Sequence, residues 1–120
     1  MSFWRKEVIE FALDQETLRH IEEQRAAIAH DPANPRGYHN LAQLYRIQNR
    51  QDEALGLLLE AVRLDVAYAD AHLALAEIYA VRDVRVAAWR HARAAERAGN
   101  GRAVEMLTRH GVAEEIKNQK

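Results

Sequence analysis

Six histidines are the side chains in this sequence best suited to chemistry, because histidine titrates near neutral pH and binds metals readily. His39, His72 and His91 have no histidine or carboxylate three or four residues away on the same helical face, and the other three lie near predicted turns. There is no cysteine and no glycine-rich phosphate loop. The sequence therefore predicts no metal site, no catalytic residues, no cofactor and no enzyme activity.

Arginines form the other notable cluster, with Arg90, Arg93 and Arg97 on one helical face and Arg82, Arg85 and Arg102 nearby. Such a row could bind phosphates or an acidic partner. However, Ala88, Ala92 and Ala95 already supply a buried stripe to the same helix, so an exposed, solvated arginine row is the favoured interpretation.

The overall charge gives no drive toward nucleic acid or anionic membranes, since 17 basic residues oppose 18 acidic residues for a net charge of −1. The segment Met1–Leu13 contains charged residues at Arg5, Lys6, Glu7 and Glu10, which are typical of neither a secretory signal nor a spanning helix. We expect a cytoplasmic chain that binds no nucleic acid and does not insert into a membrane. The sequence also leaves open that this chain is a domain of a longer protein.

The chain repeats itself with a fixed period. Five residues beginning at Tyr38 return 34 residues later as a matching set; the pairs are Tyr38 and His72, Leu41 and Leu75, Ala42 and Ala76, Tyr45 and Tyr79, and Ala54 and Ala88. Spacings of three and four place the apolar members of each set on one helical stripe. The alanine pairs Ala42 with Ala54 and Ala76 with Ala88 predict close crossings of antiparallel helices.

This pattern resembles the tetratricopeptide repeat, whose unit is a helical hairpin of this length. The resemblance implies an all-α fold, a right-handed solenoid of about three hairpins closed by a C-terminal capping helix. It also implies a non-catalytic protein–protein interaction module.

One domain over residues 1–120 is expected to contain a degenerate first repeat (1–34), a second (35–68), a third (69–100), a capping helix (101–111) and a polar tail (112–120), which is expected to be frayed from Glu114 onward. The first repeat is predicted as two helices, Phe3–Leu13 and Gln15–Ala29, with Asp14 as N-cap of the second. Its crossing should be looser or partly wet, because His20 and Gln24 replace apolar residues. Asn34 and Pro35 begin the next helix. The remaining helices are predicted at Pro35–Gln48, Gln51–Leu64, Ala69–Arg82, Val84–Ala98 (with Asp83 as cap) and Arg102–His110.

In the family, a second stripe on the first helix of each hairpin lines a concave groove that binds peptides or partner helices. Here that stripe contains Arg5, Ile9, Leu13, Arg36, His39, Gln43, Arg46, Ile47, Asp70, Leu73, Glu77, Ala80 and Val81. Its basic and apolar residues predict an acidic or amphipathic partner segment. The alternative is that Arg46 pairs with Glu77 and that these charges are only solvated. The family's clamp for a C-terminal carboxylate is not reproduced, because His39 and Gln43 occupy positions where it needs Lys and Asn.

The first helix carries more aromatic area than a terminal repeat should expose, at Phe3, Trp4 and Phe11. Two interpretations remain open. The chain could form a homodimer, acting as a self-assembling structural subunit that oligomerises through this helix. Alternatively, it could be a monomer in which one aromatic ring fills the gap beside His20 and Gln24.

Overall fold

The structure is a computed structural model that describes the backbone of residues 2–114 and the side chains of residues 5–114. Within this range every regular element is an α-helix, which confirms the all-α repeat architecture. The helices are α1 (Ser2–His30), α2 (Pro35–Ile47), α3 (Gln51–Leu64), α4 (Ala69–Val81), α5 (Arg85–Arg97) and α6 (Arg102–Arg109). No helix in the described part of the chain is both long and apolar enough to cross a membrane.

The helix boundaries follow from local backbone chemistry. The side chain of Asn34 accepts a hydrogen bond from the Arg36 amide at 2.9 Å, and Pro35 occupies the first helical position, as predicted. The two turns inside the hairpins place Asn49 and Asp83 in the left-handed region, with φ of 61° and 60°. Asp83 is therefore not the N-cap of α5 that the sequence predicted; that position belongs to Val84. Asp83 instead ends α4, because its short polar side chain tolerates the left-handed conformation.

Two complete hairpins form the body, α2 with α3 and α4 with α5. Ala42 and Ala54 are fully buried in one core cluster, and Ala76 and Ala88 are fully buried in the next. Leu75 and Ala76 are adjacent on α4 but belong to different clusters, so α4 contributes to both. This position explains why α4 is apolar around most of its circumference.

The predicted first hairpin is wrong, because α1 runs as a single helix of 29 residues. Asp14 does not interrupt it: no glycine or proline lies near, and the neighbouring residues favour a helix. Thr17 Oγ1 donates to the Leu13 carbonyl at 3.0 Å, inside the continuous helix. Only the second half of α1 packs on the body, through Ile21 and Ile28. Residues 2–114 therefore contain two complete hairpins rather than about three.

The loose crossing predicted within the first repeat is absent, because the two helices expected to cross there are one helix. Gln24 instead contacts α2, where Asn40 Nδ2 donates to Gln24 Oε1 at 3.4 Å. Phe11 does not fill a gap there, because it is 66% exposed. The predictions for Phe3 and Trp4 concern side chains outside the described residues.

The capping role of α6 depends on the segment that follows it. Ala103 and Leu107 bury α6 against Trp89 of α5. Trp89 Nε1 then donates to the Val112 carbonyl at 3.0 Å, and Arg93 forms an ion pair with Glu114 at 2.7 Å. Residues 112–114 thus fold back along α5, because the Val112 carbonyl and the Glu114 carboxylate meet these donors. Glu114, which was predicted to be frayed, is therefore held in place by Arg93.

Candidate functional site

The helices α2, α4 and α6 together form one continuous polar and apolar surface, which we call the groove. At its centre is a cavity of about 250 Å³. Its lining comprises two side chains from α2, four from α4 and one from α6; these are His39, Gln43, Asp70, Leu73, Ala74, Glu77 and Arg102. Five of the residues predicted from the sequence are therefore brought together here. The cavity walls carry charges of both signs.

An ion pair crosses the floor of the groove, where Arg46 Nη1 lies 3.1 Å from Glu77 Oε1. Arg46 also donates to Gln43 Oε1 at 3.2 Å, which orients its guanidinium. Both charged side chains are partly shielded from water, so the pair joins α2 to α4 more firmly than a fully exposed pair would. The pairing considered from the sequence is confirmed, and Arg46 is already neutralised before any partner arrives.

His39 lines the cavity and is half-buried. It is neutral at pH 7. Burial lowers its pKa, and the nearby Asp70 carboxylate only partly opposes this shift. Its ring meets the Tyr68 ring edge-on, with the ring centroids 5.8 Å apart. Burial also raises the pKa of Tyr68, with Asp70 acting in the same direction. His39 and Tyr68 can therefore both offer hydrogen bonds without bringing charge.

Beyond Glu77 the groove becomes apolar. A hollow of about 370 Å³ lies between the end of α4 and α6 and is lined by Glu77, Ala80, Val81, Met106, Leu107, His110 and Val112. Val81 is 87% exposed, although it is a branched aliphatic residue. Ile47, at the equivalent position of the preceding repeat, is 72% exposed and lines a shallower site with Arg46 and Glu77. The exposed aliphatic side chains recur with the repeat period and form one edge of the groove.

Some predicted groove residues are not brought to this surface. Arg5, Ile9 and Leu13 are exposed on the first half of α1 and line neither the cavity nor the hollow. They are displaced because α1 continues straight where a folded-back helix was predicted. Arg36 is exposed near Tyr68 but does not line the cavity.

Arg102 was missed as a groove residue. It occupies the first turn of α6, and its backbone amide donates to Asn100 Oδ1 at 3.0 Å, which fixes the start of that helix. Its position in the sequence instead groups it with the arginine row of α5. The position of Arg102 in the first turn of α6 could have predicted its place in the groove. Arg36 and Asp70, which belong to the predicted groove stripe, also lie in the first turns of their helices.

Arg93, the middle residue of the arginine row of α5, contacts its own surroundings. Arg93 contacts Glu96 at 3.0 Å and Glu114 at 2.7 Å, and its guanidinium lies 5.2 Å from the centre of the Trp89 ring. These carboxylates raise the pKa of Arg93. This arrangement supports the interpretation of a solvated row over that of a phosphate site.

A partly buried histidine pair was not expected from the sequence pattern. His72 on α4 and His91 on α5 place their Nδ1 atoms 3.0 Å apart, although the residues are 19 positions apart in sequence. Across the described residues there is no group of three or more histidine, cysteine or acidic side chains that could hold a metal ion. The pair joins the two helices of one hairpin.

Comparison with known proteins agrees with this architecture. No curated protein matches the chain. A family model described as tetratricopeptide repeat matches residues 14–95, which is more than half of the chain. The chain therefore belongs to the tetratricopeptide repeat family.

Proposed function

We propose that this chain is a non-catalytic interaction module whose groove binds an amphipathic segment of another protein. Membership of a family of interaction scaffolds supports the general class. The observation that carries the finer proposal is the adjacency of the polar cavity and the apolar hollow, which share Glu77 as a common wall. A ligand with one polar and one apolar face matches this division.

Charge favours an amphipathic ligand over a uniformly acidic one. The ion pair with Glu77 neutralises Arg46. Asp70 and Arg102, which carry opposite charges, both line the cavity. A uniformly acidic peptide would meet the carboxylates of Asp70 and Glu77 as well as the arginines, so its charge would gain little. Apolar side chains entering the hollow would remove Val81 and Met106 from water, at about 25 cal/mol for each Å² of apolar surface buried.

The test is selection of peptides from a displayed random library on the intact chain, followed by binding measurements with two matched variants. Val81→Glu places a charge in the hollow, whereas Val66→Glu places the same charge on an equally accessible valine in the loop between α3 and α4. We expect selected peptides to be amphipathic, to bind Val66→Glu like wild type, and to bind Val81→Glu at least about tenfold more weakly. Equal binding to both variants would remove the hollow from the site.

A further inference from the structure

The first half of α1 projects from the body without a packing partner in the described part of the chain. Every side chain from Arg5 to Glu16 is exposed, and the contact with α2 is made further along, by Ile21 and Ile28. A helix of this length is marginally stable in water on its own, and most helices in proteins depend on packing of an amphipathic face. The projecting half of α1 therefore needs a surface to pack against.

An apolar stripe on this segment has the spacing of a coiled-coil seam. Val8, Phe11 and Leu18 are 52%, 66% and 47% exposed. With Gln15 between them, the stripe advances by three, four and three residues, which are the alternating a and d positions of a heptad. At about 100° per residue it lies roughly 120° around the helix from Ile21 and Ile28. It can thus be covered without disturbing the contact with α2.

Charge identifies a second copy of this chain as the occupant and sets its direction. With Val8 and Gln15 at a, Asp14 falls at g and Arg19 falls at the following e position. In a parallel pair these opposite charges face each other across the seam, once on each side. In an antiparallel pair Asp14 would face Asp14 of the second copy and Arg5 would face Arg19, so both contacts would be repulsive.

The residue types along the seam also favour pairing with a second copy of this chain. A β-branched residue at a with Leu at d favours two strands, and a polar residue at one a position, here Gln15, fixes the register. The next two seam positions are Glu22 and Arg25, which end the apolar stripe near the point where packing on α2 begins. The pairing is therefore confined to the projecting half of α1.

We infer that the chain forms a parallel two-fold dimer through a short coiled coil centred on Val8, Phe11, Gln15 and Leu18. This dimer carries two grooves in one particle, so a partner with two binding segments would gain avidity. The inference rests on α1 alone and does not depend on the function proposed for the groove.

Sedimentation equilibrium of the full chain tests the dimer, with a matched pair of variants on the same helix. Wild type is expected to approach twice the 13.7 kDa mass of one chain as its concentration rises through the micromolar range. Phe11→Glu should remain monomeric, whereas Leu13→Glu, exposed but off the stripe, should still dimerise. A wild type that stays monomeric throughout, or a dimer that survives Phe11→Glu, overturns the inference. The hollow variant Val81→Glu should dimerise normally, which separates this test from that of the groove.

The direction of pairing is tested by cross-linking, because the natural chain contains no cysteine. In a parallel pair the two copies of residue 8 are adjacent, so Val8→Cys should form a disulfide-linked dimer under mild oxidation. In an antiparallel pair they would be separated by about 15 Å along the helix and would not cross-link. Adding Phe11→Glu should abolish the product. A dimer that fails to cross-link through Val8→Cys contradicts the parallel arrangement.

Discussion

His72 and His91 share a hydrogen bond of 3.0 Å between their Nδ1 atoms, inside the α4 and α5 hairpin. His72 Nε2 donates to the Val66 carbonyl at 2.8 Å, and in that tautomer the Nδ1 atom of His72 accepts the Nδ1–H of His91. The His91 ring also stacks on Tyr79, with the ring centroids 5.7 Å apart. The hairpin is thus closed by a hydrogen-bonded pair of imidazoles.

This pair predicts that the protein loses stability in mild acid. Burial, together with the neighbouring His72 and Arg90, lowers the pKa of His91 from 6.5 to about 4. The unfolded chain therefore binds more protons between these two values, and stability falls as pH drops through that window. After allowance for solvent screening of a partly exposed group, we expect a loss of about 1–2 kcal/mol.

Urea denaturation at pH 7 and pH 5 measures this loss, with His91→Asn as the comparison. The lowered carboxylate pKa values, such as those of Glu53 and Glu60, act mainly below pH 5, because the unfolded reference is 4.5. His39 also has a lowered pKa and contributes to both proteins. The variant should therefore lose less stability than wild type between the two pH values. An identical loss would show that His91 is not the group responsible.

The ion pair between Arg46 and Glu77 predicts a charge-swap rescue. Arg46→Glu sets two carboxylates against each other, and Glu77→Arg sets two guanidiniums against each other. Each single reversal should lower the free energy of unfolding by about 1 kcal/mol, and the double swap should recover at least half of the summed loss. Arg85→Glu, at an exposed pair with Asp83, should change stability by less than about 0.5 kcal/mol. Purely additive losses in the double variant would mean that the two side chains do not interact in solution.

The helices from α2 to α6 could be predicted within one residue at each end, because capping residues, proline and the repeat period act locally. The length of α1 could not be predicted in this way. Asp14 is a good N-cap, but a capping residue only stabilises a helix start and does not stop a helix that already runs through it. A break at Asp14 would have placed Arg5 and Ile9 in the groove. Because α1 has no such break, both residues lie away from the groove.

The groove was predictable where its residues follow the period, as with His39, Gln43 and Leu73. Arg46 and Glu77 are 31 positions apart, three short of the period, so neighbouring helices place them side by side. The contact between His72 and His91 could not be found in this way, because it joins the two different helices of a hairpin and depends on how each helix is rotated. Arg102 required knowing that the capping helix also borders the groove.

The close approach of α1 to α2 gives the last prediction, which concerns Gly37. This residue is buried in the first turns of α2, and a Cβ atom built on it would lie 2.9 Å from Ile28 Cγ1. A larger side chain must therefore push α1 away from α2. Gly37→Leu should lower the free energy of unfolding by about 1–3 kcal/mol.

Gly56 supplies the matched control, because it lies within α3 with no atom within 4 Å of an added Cβ. Gly56→Ala should raise stability by about 0.5–1 kcal/mol, since alanine loses less backbone entropy in a helix. If the clash with Ile28 is the cause at Gly37, the loss from Gly37→Leu should shrink in an Ile28→Ala background, where the obstructing atom is absent. Chemical denaturation of wild type, Gly37→Leu, Ile28→Ala and the double variant measures this change. A loss from Gly37→Leu that is unchanged by Ile28→Ala would place the obstruction elsewhere.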